Sequence, residues 1–129
     1  MSESSKNTKR VLSVGQCFAD HSGITRVLRG SFGAEVIGVD SAHEALDKLR
    51  AESFALVLVN RVLDSDGSSG LDVIRAIKDE EAMRSVPVML VSNYEEAQQQ
   101  AVQAGALPGF GKASLGQPHM LARVEPFLR

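Results

Sequence analysis

The segment from Phe54 to Asn60, Phe-Ala-Leu-Val-Leu-Val-Asn, constrains the fold more than any other part of the chain. Its Val and Leu residues follow one another without polar interruption, which is typical of a strand buried on both faces. Such strands occur in parallel sheets covered by helices, where ligands bind at the carboxyl ends of the strands. Asn60 therefore stands where a functional residue is expected, and its neutral amide cannot act as a carboxylate.

Further apolar segments alternate with segments of helical periodicity along the rest of the chain. Strands are predicted at Val11–Val14, Ala34–Val39, Val86–Ser92 and Leu107–Gly111. Helices are predicted at His21–Arg29 with Ser22 as N-cap, after a cap at Asp40 or Ser41, at Leu71–Lys78, at Glu95–Ala104 and from Pro118. Five βα units in succession predict a flavodoxin-like, doubly wound α/β domain with a five-stranded parallel sheet in the order 2-1-3-4-5.

Length and composition limit the functional classes open to the chain. We expect a disordered tail over residues 1–9 and one domain over residues 10–129. No apolar run approaches the roughly 18 residues of a membrane span, and a formal net charge of -2 gives no general attraction to nucleic acid or anionic membranes. The single cysteine, Cys17, is expected to be a small buried hydrophobe and favours a reducing compartment. We therefore expect a cytoplasmic protein, monomeric or weakly dimeric, with no nucleic-acid or membrane partner.

Motifs at the predicted strand and helix ends occur in an informative combination. The buried third strand is followed by Gly-Leu-Asp-Val-Ile at a helix start, and the fourth strand reads Val-Pro-Val-Met-Leu-Val-Ser. An Ala-Gly-Ala sequence then precedes Lys112. From Arg10 to the last helix, this combination resembles the receiver domain of two-component response regulators, of the chemotaxis type. The resemblance implies a role in phosphorelay signal transduction.

The resemblance also implies a role for each position of a phosphorylation pocket. In that family an Asp at the end of the third strand accepts a phosphoryl group, and two acids after the first strand help to bind Mg²⁺. A Ser or Thr hydroxyl and a Lys contact the phosphate. In this sequence the phosphoacceptor position is Asn60, and the acid pair falls at Gly15 and Gln16. Ser92 and Lys112 match the hydroxyl and the lysine.

These replacements all remove the same chemistry. An amide oxygen is a poor nucleophile for phosphoryl transfer. Three carboxylates and a lysine would attract Mg²⁺, whereas Gly15, Gln16, Asn60 and Lys112 leave a net positive charge that repels it. The three histidines show no metal-binding spacing, and no nucleophile and base pair is visible. We expect a pseudo-receiver that binds no Mg²⁺ or other cofactor and is not an enzyme.

Two alternatives stay open for the pocket. Asp64 or Asp66, or a deamidated Asn60, could provide a relocated phosphoacceptor, although the loop from Asn60 to Gly70 is typical of a solvated turn without an ion. Lys112 and Ser92 could bind a small anion or ligand as a sensor. A structural hydrogen bond from Lys112 to Asn60 is the favoured interpretation, since a nearly buried ammonium needs a partner.

A partner face is expected on the fourth helix and fifth strand, where receivers usually contact proteins. Tyr94, Gln98 and Phe110 are its candidate residues, with Phe110 an aromatic anchor if it is exposed and a core residue if it points inward. The switch-aromatic position of the family falls at Gly109. The function predicted is therefore that of an atypical receiver domain in signal transduction, which works by phosphorylation-independent protein–protein interaction.

Overall fold

The computed structural model describes residues 8–129, in which five parallel strands alternate with five helices. The strands are β1 (Arg10–Val14), β2 (Glu35–Val39), β3 (Leu56–Asn60), β4 (Val88–Val91) and β5 (Leu107–Phe110). The helices are α1 (Phe18–Phe32), α2 (Ala42–Ala51), α3 (Gly70–Asp79), α4 (Glu95–Gln103) and α5 (Pro118–Leu128), with a 3₁₀ turn at Lys112–Ser114. Of the helices in this part of the chain, none has the length and hydrophobicity needed to cross a bilayer.

The strand order is β2-β1-β3-β4-β5 and every neighbouring pair is parallel, which confirms the predicted fold. The predicted tail covers residues 1–9, and residues 1–7 of it lie outside the described residues.

Both faces of the sheet are buried, as the apolar third strand indicates. Side chains alternate between faces along each strand, so Val57 and Val59 pack in one core cluster and Leu56 and Leu58 in another. The first cluster includes buried residues of α2, α3 and α4, and the second includes buried residues of α1 and α5. Two helical layers therefore enclose the sheet, and a strand without polar alternation is required between them.

Helix α1 begins earlier than the sequence predicts. It starts at Phe18, and Cys17 is its N-cap, with the thiol accepting a hydrogen bond from the Asp20 N–H at 3.5 Å. The predicted cap Ser22 lies inside the helix, so that prediction is wrong. Cys17 is half-buried, because a capping side chain must lie at the helix end and not in the core. The earlier start places Asp20 in the first turn of α1.

Candidate functional site

The site lies at the carboxyl edge of the sheet, at the ends of β3 and β4 and next to the point where the strand order reverses between β1 and β3. Crevices at such points are the usual ligand sites of doubly wound sheets. A cavity of about 340 Å³ at this edge has Asn60, Ser92 and Lys112 among its lining residues. The structure thus brings these three predicted pocket residues together. Gly15 and Gln16, at the two remaining pocket positions, follow β1 and do not line the cavity.

Asn60 ties the ends of two strands together. It is buried, with 8% of its surface exposed, and its Nδ2 donates a hydrogen bond to the carbonyl oxygen of Gly15 at 3.0 Å. The same carbonyl accepts a second hydrogen bond from the Asp64 N–H at 2.9 Å. A carboxylate at the Asn60 position could not donate this bond, and its charge would face a carbonyl oxygen. The amide therefore has a structural partner where the resemblance places a nucleophile.

The first acid position, Gly15, has no space for a side chain. Its φ is 74°, in the left-handed region that favours glycine, and a β-carbon there would lie 2.4 Å from the Cγ of Leu63. Leu63, in the β3–α3 loop, is fully buried and belongs to the core. The predicted solvated turn thus contains an apolar anchor that the sequence prediction missed. The available signal was the apolar pair Val62-Leu63 within a polar loop.

The second acid position, Gln16, is buried with 8% of its surface exposed. Neither its amide nitrogen nor its amide oxygen has a hydrogen-bond partner within residues 8–129. An unpaired buried amide of this kind costs about 1–3 kcal/mol. Gln16 therefore brings no charge to the site, and its amide is not held by a hydrogen bond within the described residues.

Ser92 occupies the hydroxyl position of the pocket and is also buried, with 7% of its surface exposed. Its Oγ accepts a hydrogen bond from the Tyr94 N–H at 3.1 Å, which shapes the turn before α4. The hydroxyl oxygen is thus engaged with the backbone of its own loop.

Lys112 pairs with Asp20, a residue that the sequence does not predict for the site. Its Nζ lies 2.6 Å from Asp20 Oδ2, and this hydrogen bond lowers the pKa of the Asp20 carboxyl. Among the described residues Lys112 makes no hydrogen bond to Asn60, so the predicted tie is wrong. The sequence analysis missed Asp20 because the predicted helix began at His21, after this residue. The anion site at Lys112 and Ser92 stays a prediction, with its cation already paired.

A second cation lines the cavity. The guanidinium of Arg61 stacks over the Tyr94 ring at 4.8 Å from its centroid. With Lys112 balanced by Asp20, Arg61 leaves the site net positive, which disfavours a divalent cation. The acid positions do not fit a Mg²⁺ site, because none is a carboxylate and Gly15 has no room to become one.

A protein-family model described as the response regulator receiver domain matches residues 18–124. The chain belongs to this family. Receiver domains act in two-component signalling, where they interact with signalling partners. Among curated relatives, this receiver is 27% identical over 97 residues to the polar-differentiation response regulator DivK of Brucella ovis, a match that covers 74% of this chain and 77% of the relative.

Solved structures share the fold of this receiver. A response regulator from Chloroflexus aurantiacus superimposes with a TM-score of 0.83 at 21% identity, covering 94% of this chain and 98% of the other. The chemotaxis protein CheY4 of Vibrio cholerae gives a TM-score of 0.71 at 17% identity, covering 95% of this chain and 99% of the other. At these sequence identities the similarity shows a shared fold, whereas the chemistry of the site depends on the residues of this chain.

The switch-aromatic position of this receiver, Gly109, lies in an irregular part of the sheet, where the β4–β5 register shifts. The Gln98 side chain of α4 bridges the two strands there. Its Nε2 donates to the carbonyls of Leu90 at 2.9 Å and Ser92 at 3.1 Å, and its Oε1 accepts from the Gly109 N–H at 3.0 Å. A β-carbon at Gly109 would lie 2.1 Å from the Leu90 carbonyl oxygen. This position therefore excludes an aromatic side chain.

The three candidate residues of the partner face predicted on α4 and β5 differ in accessibility. Phe110 is 5% exposed and packs in the core cluster of α1 and α5, so it is not an exposed anchor. The amide of Gln98 is engaged by the backbone of both strands. Tyr94 is 61% exposed and is the one residue of the three whose side chain is accessible as predicted.

The alternative phosphoacceptors lie in the β3–α3 loop. Asp64 and Asp66 are exposed, and the Asp66 carboxylate accepts hydrogen bonds from the Ser68 hydroxyl at 2.6 Å and the Ser68 N–H at 2.9 Å. These bonds, chiefly the hydroxyl one, lower the pKa of Asp66 and close a local turn. Within residues 8–129, no three His, Cys, Asp or Glu side chains converge as metal ligands.

Proposed function

We propose that this receiver domain is a pseudo-receiver, which acts in signal transduction through protein–protein contact that does not depend on phosphorylation. The observation that carries the proposal is the hydrogen bond from Asn60 Nδ2 to the Gly15 carbonyl. In this orientation the Asn60 amide nitrogen at the phosphoacceptor position is already used in a hydrogen bond to the backbone. Its oxygen belongs to a neutral amide, which is a poor nucleophile toward phosphorus.

We extend the proposal to Mg²⁺, which this receiver is expected not to bind, and to enzymatic activity, which we expect it to lack. Mg²⁺ loses its hydration shell reluctantly and needs hard, usually anionic, oxygen ligands. Leu63 occupies the space that a side chain at Gly15 would need, and Gln16 brings no charge. We expect the protein to work in the cytoplasm, as a monomer or weak dimer with a protein partner, because its charge is nearly balanced and it has one cysteine.

Intact-mass spectrometry after incubation with Mg²⁺ and acetyl phosphate tests the proposal. We expect no phosphoryl adduct, while a receiver with a complete acidic pocket, treated in parallel, gains one. The Asn60→Asp variant is also expected to stay unmodified, because Gly15 and Gln16 still provide no carboxylate. A stoichiometric adduct on the wild-type chain would overturn the proposal, and peptide mapping of residues 60–70 would show whether Asp64 or Asp66 carries it.

A further inference from the structure

A groove of about 670 Å³ runs between the β3–α3 loop and α4. Its floor includes Leu71, Leu90 and Ala97, and its lining contains no residue of β5. Side chains on its two walls come from the loop and from the start of α4, and those used below are Arg61, Val62, Tyr94, Glu95 and Glu96. The groove shares Tyr94 with the partner face predicted on α4 and β5, but Gln98 and Phe110 do not line it.

The loop wall of the groove is held in place. Val62 and Ser69 form an antiparallel bridge, and the Leu63 N–H donates to the Ser68 carbonyl at 2.9 Å. The buried Leu63 side chain anchors the same loop in the core. A wall that is already ordered lowers the conformational entropy lost when a partner binds.

Apolar side chains are exposed on both walls. Val62 is 41% exposed on the loop, and Tyr94 is 61% exposed at the start of α4. Arg61 stacks on the Tyr94 ring and orients it. Tyrosine and arginine are among the residue types that most often anchor protein interfaces.

The charge beside the groove is negative. Glu95 and Glu96 are exposed and make no ion pair within the described part of the chain. Both lie in the first turn of α4, where a helix dipole favours acids but leaves their outer faces available. The cation of Arg61 stacks on the Tyr94 ring and offsets one of the two acids, so these three side chains leave a net charge of -1 in the groove. The groove is therefore complementary to a partner that is apolar and basic.

We propose that this groove binds a short segment of a signalling partner that inserts an apolar side chain between Val62 and Tyr94. A lysine or arginine of the same segment faces Glu95 and Glu96. The inference rests on the proposed function and adds to it the surface and the chemistry of the partner.

Selection from a phage-displayed library of short random peptides tests the groove, with the full chain as bait. We expect enriched peptides that combine an aliphatic or aromatic residue with neighbouring lysine or arginine. A synthetic peptide of the enriched sequence then serves as the probe for variants, and its binding is measured by calorimetry at low salt. Recovery of acidic or uncharged peptides, or no enrichment, would overturn the proposal.

Matched variants locate the binding. Val62→Ser should weaken the peptide about three- to tenfold through lost apolar contact, whereas Val102→Ser removes a valine of similar exposure (43%) outside the groove and should leave binding unchanged. The double variant Glu95→Gln with Glu96→Gln should weaken binding about two- to tenfold. Glu81→Gln, an exposed acid elsewhere, is its control. Equal effects in variant and control would overturn the location.

The two proposals fail in distinguishable ways. A phosphoryl adduct in the mass measurement would overturn the phosphorylation-independent function whatever the peptides show. Unmodified protein that enriches no basic, apolar peptide would overturn the groove alone. Because Val62, Glu95 and Glu96 are exposed, circular dichroism melts of the variants should match the wild type.

Discussion

At the scale of single residues, one amide changes what the pocket can do. Asn60 and the Gly15 carbonyl form a donor–acceptor pair that depends on an N–H at the end of β3. An ionised carboxylate has only acceptors, so it could not make this hydrogen bond at the end of β3. The neighbouring Asp64 N–H, bonded to the same carbonyl, fixes that oxygen in the orientation which an Asn favours.

Asn60→Asp should lower the free energy of unfolding at pH 7 by about 1–3 kcal/mol, because a buried bond is lost and a charge faces a carbonyl oxygen. The loss should shrink as pH falls toward about 4 and be smallest below that value, where the carboxyl is protonated in both states and can donate again. Urea unfolding at both pH values measures the effect. Asn93→Asp is the control, because the Asn93 Oδ1 accepts from the Ala113 N–H and a carboxylate can still accept. Equal stability of Asn60→Asp and wild type would contradict the structural role.

At the scale of elements, two irregular segments hold the site. The β3–α3 loop inserts Leu63 beside Gly15, and the register shift of β4 and β5 is bridged by Gln98. Each segment is packed around a glycine that has no room for a β-carbon. Leu63 lies against Gly15, and the Leu90 carbonyl and the Gln98 side chain lie against Gly109. At both positions the packing therefore excludes the larger side chain that the family resemblance implies.

Replacement of Gly15 by alanine should cost more than the same change at Gly33. Both glycines have positive φ, but a β-carbon at Gly33 would meet nothing within 4 Å, so Gly33→Ala should cost about 1–2 kcal/mol from backbone conformation alone. Gly15→Ala should cost about 1–3 kcal/mol more, because Leu63 must shift. Thermal and urea unfolding measure the difference. A double-mutant cycle with Leu63→Ala should show coupling, and additive effects would contradict the contact.

Gln98→Ala should loosen β5 specifically. It removes the hydrogen bonds that satisfy carbonyls of β4 and the Gly109 N–H, so stability should fall by about 1–3 kcal/mol. Hydrogen exchange of the Gly109 amide should accelerate more than that of amides in β1. Gln99→Ala, an exposed neighbour on the same helix, should change neither quantity. Unaltered exchange at Gly109 in Gln98→Ala would show that the side chain does not hold the strand.

At the scale of the whole molecule, most of the core and several ion pairs lie outside the pocket. The apolar core occupies both faces of the sheet. Arg10, in β1, pairs with Glu35 of β2 and with Glu52 after α2, and Arg50 joins α2 to Glu80 after α3. These ion pairs involve no residue of the carboxyl-edge pocket, whereas Leu63 belongs to the core and also lies against Gly15. Across the pocket itself, the Lys112–Asp20 pair joins the 3₁₀ turn to α1.

The Lys112–Asp20 pair predicts part of the acid dependence of stability. Lys112 lowers the pKa of Asp20 in the folded state, so the carboxylate stabilises the protein above its unfolded pKa, and this contribution is lost as pH falls through the folded value. Asp20→Asn should therefore be less stable at pH 7 by up to about 1 kcal/mol, a small value because the pair is partly exposed. The two curves should converge in acid.

Urea unfolding of the Asp20→Asn variant and the wild type, measured from pH 7 down into acid, tests the prediction. Asp72→Asn removes the carboxylate of a more exposed pair with Arg75 and should change stability less. Parallel pH curves for wild type and Asp20→Asn would contradict the linkage.

Much of the architecture could be predicted from the sequence. Apolar runs and helical periods are local, so the five βα units follow from short windows, and the strand order follows from the usual arrangement of such units. Both agree with the structure, which also places the cap of α2 at Ser41, one of the two predicted positions. The missing acids at Gly15, Gln16 and Asn60 are likewise a matter of residue identity, once the resemblance places them. Burial on both faces of β3 follows from its composition alone.

The partners of the pocket residues depend on contacts between distant segments. Leu63 meets Gly15, and Asp20 meets Lys112, only because the chain folds back on itself at the carboxyl edge of the sheet. Phe110 illustrates the same limit in a strand. Alternation predicts a face only while the register is regular, and the shift between β4 and β5 breaks that count, so packing places Phe110 in the core.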